Sequence, residues 1–212
     1  MAGKTDTFEN ATLNVLRGNA PTPPAGLWLG CFSTMPADDG SGGVELSGGG
    51  YARQPITFSA PSAGQMANSG ELLFGEASAD YPKTVAVGLW DAASGGNLWE
   101  FDWLGTGQTW KPFTAEATGD IFTAPGHGFS NGHEVVLSAE IAGVLPTGVA
   151  AATLYYVIAA ALDTFKLSLT LGGAAINLTV AGSGLVRRVI PQTPVIGDRL
   201  RFKAGTVVVV ET

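Results

Sequence analysis

"TVAVGLWDAASGGNLWEFDWL", residues 84–104, is the stretch on which the reading of the fold turns. Its second half alternates Trp99, Phe101 and Trp103 with Glu100 and Asp102. A period of two places successive side chains on opposite faces of a strand. The expected arrangement has aromatics inward and carboxylates outward. The first half, "TVAVGLWD", is a run of β-branched and apolar residues of strand length. Between them "ASGGN" supplies glycines, which adopt the positive φ of tight turns without steric cost. The stretch therefore reads as a β-hairpin.

Working outward, the same grammar recurs. "LWLGCFST" (27–34), "YARQPITFS" (51–59) and "GELLFGE" (70–76) read as strands before the hairpin. "HEVVLSAE" (133–140), "TLYYVIAA" (153–160), "DTFKLSLT" (163–170), "AAINLTVA" (174–181), "DRLRFKA" (198–204) and "TVVVVET" (206–212) follow it. "PADDGSGG", "SGGG" and "TLGGA" punctuate them as turns. Many short strands with little helix predict a mainly β protein, a β-sandwich or barrel. No fixed period appears, which argues against a solenoid or propeller. One helix is expected, in "TDTFENATLNVLRG" (5–18), with Asp6 as cap and Glu9 as its capping-box partner. Phe8, Ala11, Thr12, Val15 and Leu16 would share one face, and Gly18 with the Pro-rich "APTPPAG" would end it.

The composition shifts along the chain. All five tryptophans lie at positions 28, 90, 99, 103 and 110, and the segment 118–187 has none. "VIPQTPVIGD" then reads as a linker into further strands. The expected organisation is nested: a β domain of residues 1–117 plus 188–212, with a second small all-β module of residues 118–187 inserted in one of its loops. Insertions survive at exposed loops when the flanking host strands still meet.

Charged residues make up 14% of the 212-residue chain and apolar ones 45%, so it is folded rather than disordered, with a weakly charged surface suited to burial against copies or partners. A net charge of -7 argues against nucleic acid as a partner. Arg187, Arg188, Arg199, Arg201 and Lys203 read as outward faces of strands. The lone Cys31 sits in the apolar run "GLWLGCF" as a buried, inert thiol. The first residues hold no long apolar segment of the signal-peptide kind, and "GVAAATLYYVIAAAL" is too short and polar for a membrane span. Synthesis in a cytoplasm and no membrane insertion are the expectations.

Several motifs invite chemistry. Gly128-Phe-Ser130-Asn-Gly132 matches the G-x-S-x-G pattern of serine hydrolases. A nucleophile elbow needs a helix after the serine and a histidine downstream of the acid. Here Asn131-Gly132 signals a turn, "HEVVLS" a strand, and no histidine follows His133. His127, His133 and Glu134 make a poor metal set, because neighbours on a strand point to opposite faces. "ADDG" (37–40) lacks the spacing of a calcium loop. Glu100 and Asp102 share a strand face at glycosidase-like separation, but their aromatic neighbours favour a simple in–out strand. No glycine-rich stretch has a phosphate-cradling context, so no cofactor is expected. No catalytic, cofactor-binding or metal-binding residue is assigned.

Both the outer parts of the chain and the inserted segment carry a resemblance. "TDTFENATLNVLRG", "GLWLGCFSTMPADDGSGGVELSGGGYARQPITF", "TVAVGLWDAASGGNLWEFDWLG" and "GDRLRFKAGTVVVVET" resemble a family of small bacteriophage tail-fibre or minor-tail proteins. The bearing residues are Gly30, Pro36, Glu45, Ser47, Gly48 to Gly50, Tyr51, Ala52 and Arg53, then Gly88, Leu89, Asp91, Ala92 and Gly95 to Leu98. The inserted segment resembles a small β module recurring in phage tail and fibre proteins, through His127-Gly128, Gly132, Leu145-Pro146, Tyr155 to Val157, Asp163, Phe165 and Leu167-Ser168. The resemblance implies a virion structural protein, associated with the tail and acting by assembly and attachment rather than as an enzyme. Its implied partners are copies of itself and other virion proteins. A capsid-decoration protein, or a receptor module using exposed tryptophans on a host surface glycan, is the alternative.

Overall fold

The computed structural model describes residues 3–105, 108–139 and 143–210. Among these residues it is mainly β, with one helix. The first portion holds β1 (Gly3–Lys4), α1 (Asp6–Leu16), β2 (Leu27–Thr34), β3 (Val44–Glu45), β4 (Gln54–Ile56), β5 (Gln65–Ala67), β6 (Leu72–Leu73), β7 (Ala86–Trp90) and β8 (Leu98–Trp103). Then come β9 (Lys111–Glu116), β10 (Ile121–Thr123), β11 (Glu134–Ser138), β12 (Tyr155–Ile158), β13 (Thr164–Ser168) and β14 (Gly182–Val189). The chain closes with β15 (Arg201–Phe202) and β16 (Val208–Val210). It divides into two compact units, residues 1–106 with 191–212, and residues 107–190. Among the described residues no helix is long and apolar enough to cross a membrane.

The first unit is organised by the hairpin that opened the sequence. β7 and β8 pair antiparallel, in a sheet ordered β1-β8-β7-β2-β3, with β4 also paired to β2. Across β2 and β7, Leu29 faces Leu89 and Cys31 faces Val87. Those side chains point into the core with Leu72, Phe74, Leu200, Phe202 and Val209. The last five come from or beside two short ribbons, β6–β15 and β5–β16, which join the end of the chain to residues 65–74. Burying a Leu or Phe side chain contributes about 1.5–3 kcal/mol, so this packing, rather than pairings two and three residues long, holds the ribbons. On the opposite sheet face Trp28 pairs with Trp90 and Gly30 with Gly88.

The helix departs from its expected form. Its N-cap is Thr5, and the Thr5 hydroxyl donates instead to the Leu98 carbonyl at 2.6 Å. Asp6 is the first helical residue rather than the cap. No helix residue is buried. Phe8 reaches Trp99 at 5.3 Å between ring centroids, whereas Thr12, Val15 and Leu16 face solvent. Gly18 does end the helix, at a φ of 78°. An isolated helix of this length is marginal in water, so its anchorage at Thr5 and Phe8 is what supports it.

The second unit is a closed barrel ordered β10-β13-β12-β11-β14-β9, every pairing antiparallel. β11, β12 and β13 form a meander and β14 returns beside β11, which is a Greek key. The core gathers Phe113, Phe122, Phe165, Val135, Leu137, Val157 and Val186. Closure removes the exposed edges that sheets otherwise present. Residues 111–116, read from sequence as part of the first domain, form β9 and pair with β10 and β14. Residues 188 and 189 likewise belong to β14. "AAINLTVA" is not a strand. It runs as a loop whose Ile176 N donates to Leu167 O and whose Leu178 N donates to Asp120 Oδ1, both at 2.8 Å.

Candidate functional site

The most elaborate polar constellation lies in the first unit, on the sheet face bearing Trp90. It begins with glycines. Gly48, Gly49 and Gly50 all have positive φ, and a Cβ at Gly49 would lie 2.8 Å from the Tyr81 ring. This turn delivers Tyr51 and Arg53 to the sheet. Arg53 Nε and Nη2 donate to the two carboxylate oxygens of Glu45 at 2.8 and 2.7 Å. Its Nη1 donates to the carbonyls of Ala92 and Gly95 at 2.9 and 2.7 Å, in the loop joining β7 to β8. The guanidinium lies 3.6 Å from the ring centroid of Trp90, which Phe32 stacks at 6.1 Å. Tyr51 donates its hydroxyl to Glu45 Oε1 at 3.0 Å and accepts from Cys31 N at 2.8 Å. Burial pushes the Tyr51 phenol and the Cys31 thiol well above their ordinary values, and the Glu45 charge adds to both. Neither group is a nucleophile near neutral pH.

The same loop is closed by Asp91. One of its oxygens accepts from Asn97 N at 2.7 Å, and the other from Asn97 Nδ2 and Trp99 Nε1 at 2.8 and 3.3 Å. Burial works to raise the Asp91 pKa, but these donors outweigh it and hold the carboxyl below its usual range. Gly96 is required at the turn, because a Cβ there would meet Asp91 Oδ1 and Ala92. "E-x-SGGGYAR" and "GLWDAASGGNL" are therefore two halves of one interlocked structure.

In the barrel, His127 is buried between aromatic rings, 4.9 Å from Phe129 and 5.1 Å from Phe165. Its Nδ1 accepts from Phe129 N at 2.8 Å, which ties the base of the barrel core to the loop after β10. Asp163 Oδ1 accepts from Gly126 N at 2.8 Å in the same region. Ser130 stands in a turn, followed by β11 rather than a helix. His133 Nδ1 accepts from the Ser130 backbone N at 3.1 Å, a turn contact and not a Ser–His dyad. Burial, with the nearby Arg188 charge, lowers the His133 pKa. His127, His133 and Glu134 are not brought together as ligands. The one close group of three such side chains among the described residues is Asp6, Glu9 and Asp38, all exposed, at the start of α1. Three single carboxylate oxygens are at most half of a calcium shell. No sequence pattern marks this group, because the 36–39 turn is brought to α1 only by the fold, with Asp6 N donating to Asp38 O.

Other expectations need correction. Glu100 does not point to solvent. It is buried at 5% exposure, directly across from Lys4 of β1 on one side and Leu89 of β7 on the other. β1 was not foreseen, and its pairing makes β8 an interior strand. Asp102 is half-buried and accepts from Trp103 N. Arg187 is also buried rather than outward, with its guanidinium 4.9 Å over the Trp110 ring. Arg199, Arg201 and Lys203 are exposed as expected; Arg199 pairs with Glu76 and Arg201 with Glu71. The five tryptophans are all half-buried. Trp90, Trp99 and Trp110 already carry Arg53, Phe8 and Arg187 as ring partners.

A comparison with family models matches residues 3–124 to the family described as podophage GP4 fiber I protein gp80. No curated protein matches the chain. The matched region, more than half the chain, contains the whole Glu45–Tyr51–Arg53–Trp90 and Asp91–Asn97 framework. The chain belongs to the podophage GP4 fiber I protein gp80 family, a phage tail fibre family.

Proposed function

We propose that this chain is a non-catalytic building block of a podophage tail fibre, or of the adaptor that holds one. Residues 1–106 with 191–212 would serve as the virion-anchoring unit, and the barrel of residues 107–190 as a module for contacts with a neighbouring virion protein or the host surface. The observation that carries this reading is the use made of the residues that mark the family. Arg53, Glu45, Tyr51, Asp91 and Asn97 spend their polar atoms on one another and on backbone groups. Such residues build a rigid scaffold, and fold-level rigidity is what an assembled fibre needs. The weakly charged composition supports burial against copies of itself and other virion proteins.

The barrel's own topology supports its half of the reading. β9 enters and β14 leaves side by side, Lys111 opposite Val186. Because every strand alternates in direction, the β9–β10, β11–β12 and β13–β14 connections all emerge from the other end. Val144 and Val180 stand exposed on two of these connections. Loops held on a rigid barrel are where recognition is usually carried.

The deciding experiment is localisation. Antibody-gold labelling or a virion reconstruction is expected to find the chain on the tail. Density on the capsid shell instead, or absence from the particle, would overturn the proposal. Incubating the purified protein with host polysaccharide tests the non-catalytic part, and chain cleavage would refute it.

A further inference from the structure

β16 is an unrelieved valine strand at the rim of the first unit. Among the described residues it pairs with β5 alone, Val208 opposite Ala67, Val209 opposite Met66 and Val210 opposite Gln65. The direction of its backbone groups follows from neighbouring bonds. Asn68 N donates to Val207 O, and Val207 N donates to Asn68 Oδ1, so the amide and carbonyl of Val207 face β5. On β5 itself, Gln65 bonds reciprocally with Ser62, and Ala67 O accepts from Ser59 N, so these residues face away from β16. That leaves Met66 and Asn68 to face β16. In an antiparallel ladder such groups alternate in direction with each residue. Val209 therefore faces β5 as Val207 does, and Val208 and Val210 turn their N–H and C=O groups to the open edge. Their side chains are also exposed, at 42% and 37%, while Val209 is buried.

Proteins blunt such an edge with a very short strand, a charged residue such as lysine, a proline or a bulge. β16 is short, at three residues, but "TVVVV" (206–210) holds no charged residue and no proline, and its pairing with β5 runs without a register shift. From this we propose that β16 is a pairing edge, and that its occupant is β16 of a second copy, added antiparallel across a two-fold axis. Charge selects the occupant. A surface that meets itself sets every charge against its own like, which is costly in a chain of net charge -7. The six residues of this ribbon, Gln65 to Ala67 and Val208 to Val210, carry no charge. The directions of the free groups select the register: Val208 opposite Val210 of the second copy, Val210 opposite its Val208, and the two Val209 residues meeting on the axis. The inference deepens the proposed assembly role and rests on that reading for its setting in the virion, but the pairing itself is a property of the isolated chain.

The test uses the full chain in solution. Sedimentation velocity over a concentration series is expected to give a reversible dimer. Val208→Pro removes an outward N–H, a position where an edge strand tolerates proline, and should leave circular dichroism and thermal melting unchanged. By symmetry it removes two hydrogen bonds from the pair, weakening the dimer about tenfold or more. Val210→Lys should weaken it similarly by placing a charge at the edge. Hydrogen exchange should slow in residues 206–210 as the dimer fills. A wild-type chain that stays monomeric to about millimolar concentration, where pairs weaker than roughly 4 kcal/mol lie, would overturn the proposal. So would dimerisation that both variants leave intact, or that protects other segments and not this one. Those failures would leave the tail localisation standing, and a capsid localisation would leave the pairing standing.

Discussion

The guanidinium of Arg53 lies 3.6 Å over the indole of Trp90 while its fork grips both oxygens of Glu45. One side chain thus joins the glycine-rich turn, the edge strand β3 and the β7–β8 loop. The Arg53 side chain is 8% exposed, so the pair is desolvated on its arginine side.

Truncating Arg53 leaves Glu45 in that setting without its partner. Breaking such a pair costs about 3–5 kcal/mol when fully buried. Glu45 retains 22% exposure, so Arg53→Ala is expected to destabilise the first unit by about 3 kcal/mol. Arg53→Lys should recover less than half of this, since lysine cannot reproduce the bidentate, stacked geometry. Urea unfolding followed by tryptophan fluorescence measures both. Equal stability of Arg53→Lys and the parent would contradict the geometric account.

Gly88 and Gly70 make a matched pair. A Cβ at Gly88 would lie 2.6 Å from Leu98 Cδ1 and 2.8 Å from Phe32 Cε2, whereas nothing lies within 4 Å of one at Gly70. Overpacking of this kind costs about 1–3 kcal/mol. Gly88→Ala should lower the unfolding midpoint by that measure, and Gly70→Ala should leave it within about 0.5 kcal/mol of the parent.

Asp91 gives the first unit an acid limit. Its folded pKa is depressed by the Asn97 and Trp99 donors. The stabilisation is complete above the unfolded carboxylate pKa, near 3.8, and is lost as pH falls through the lower folded value. Stability measured from pH 6 downward should fall less steeply in Asp91→Asn than in the parent. An unchanged slope would remove Asp91 from the account.

His133 does the same for the barrel at higher pH. Its folded pKa lies below the ordinary imidazole value of 6.5, so the unfolded chain takes up the proton first. Barrel stability should therefore decline as pH drops below about 6.5, and His133→Gln should flatten that decline. Proton titration of the His133 imidazole by NMR checks the direction.

Ser130 and His127 should behave oppositely. Ser130→Ala removes a hydroxyl from an exposed turn and is expected to change stability by less than about 0.5 kcal/mol. His127→Leu strips Phe129 N of its acceptor inside an aromatic cluster, at about 1–3 kcal/mol. Thermal unfolding of the two variants compares them. A marked loss for Ser130→Ala would show a role that the turn geometry lacks.

Much of the sheet was legible because half-buried strands announce themselves. β2 matches "LWLGCFST" residue for residue, and β7, β8, β12 and β13 fall inside their expected segments. Failures came where long-range partners decide. "GSGLVRRV" has two glycines and two arginines in eight residues, so β14 looked like a boundary. It is a strand because β9 and β11 flank it, and its Gly184 lets Ser138 O and Phe113 approach. "AAINLTVA" alternates well, yet its amides are satisfied by Asp120 and Leu167 from distant segments. Glu100 was misjudged because β1, two residues long, has no sequence signal of its own. The motif residues Glu45, Tyr51 and Arg53 were recognisable by resemblance, but that Arg53 stacks on Trp90 is a property of the folded register alone.

Neighbouring strands begin and end the barrel, so β9 and β14 pass each other at Lys111 and Val186 about one interstrand spacing apart, near 4.8 Å. Any hairpin that can spread by that width could accept such a cassette, and could lose it again, without moving a single hydrogen bond in its own sheet.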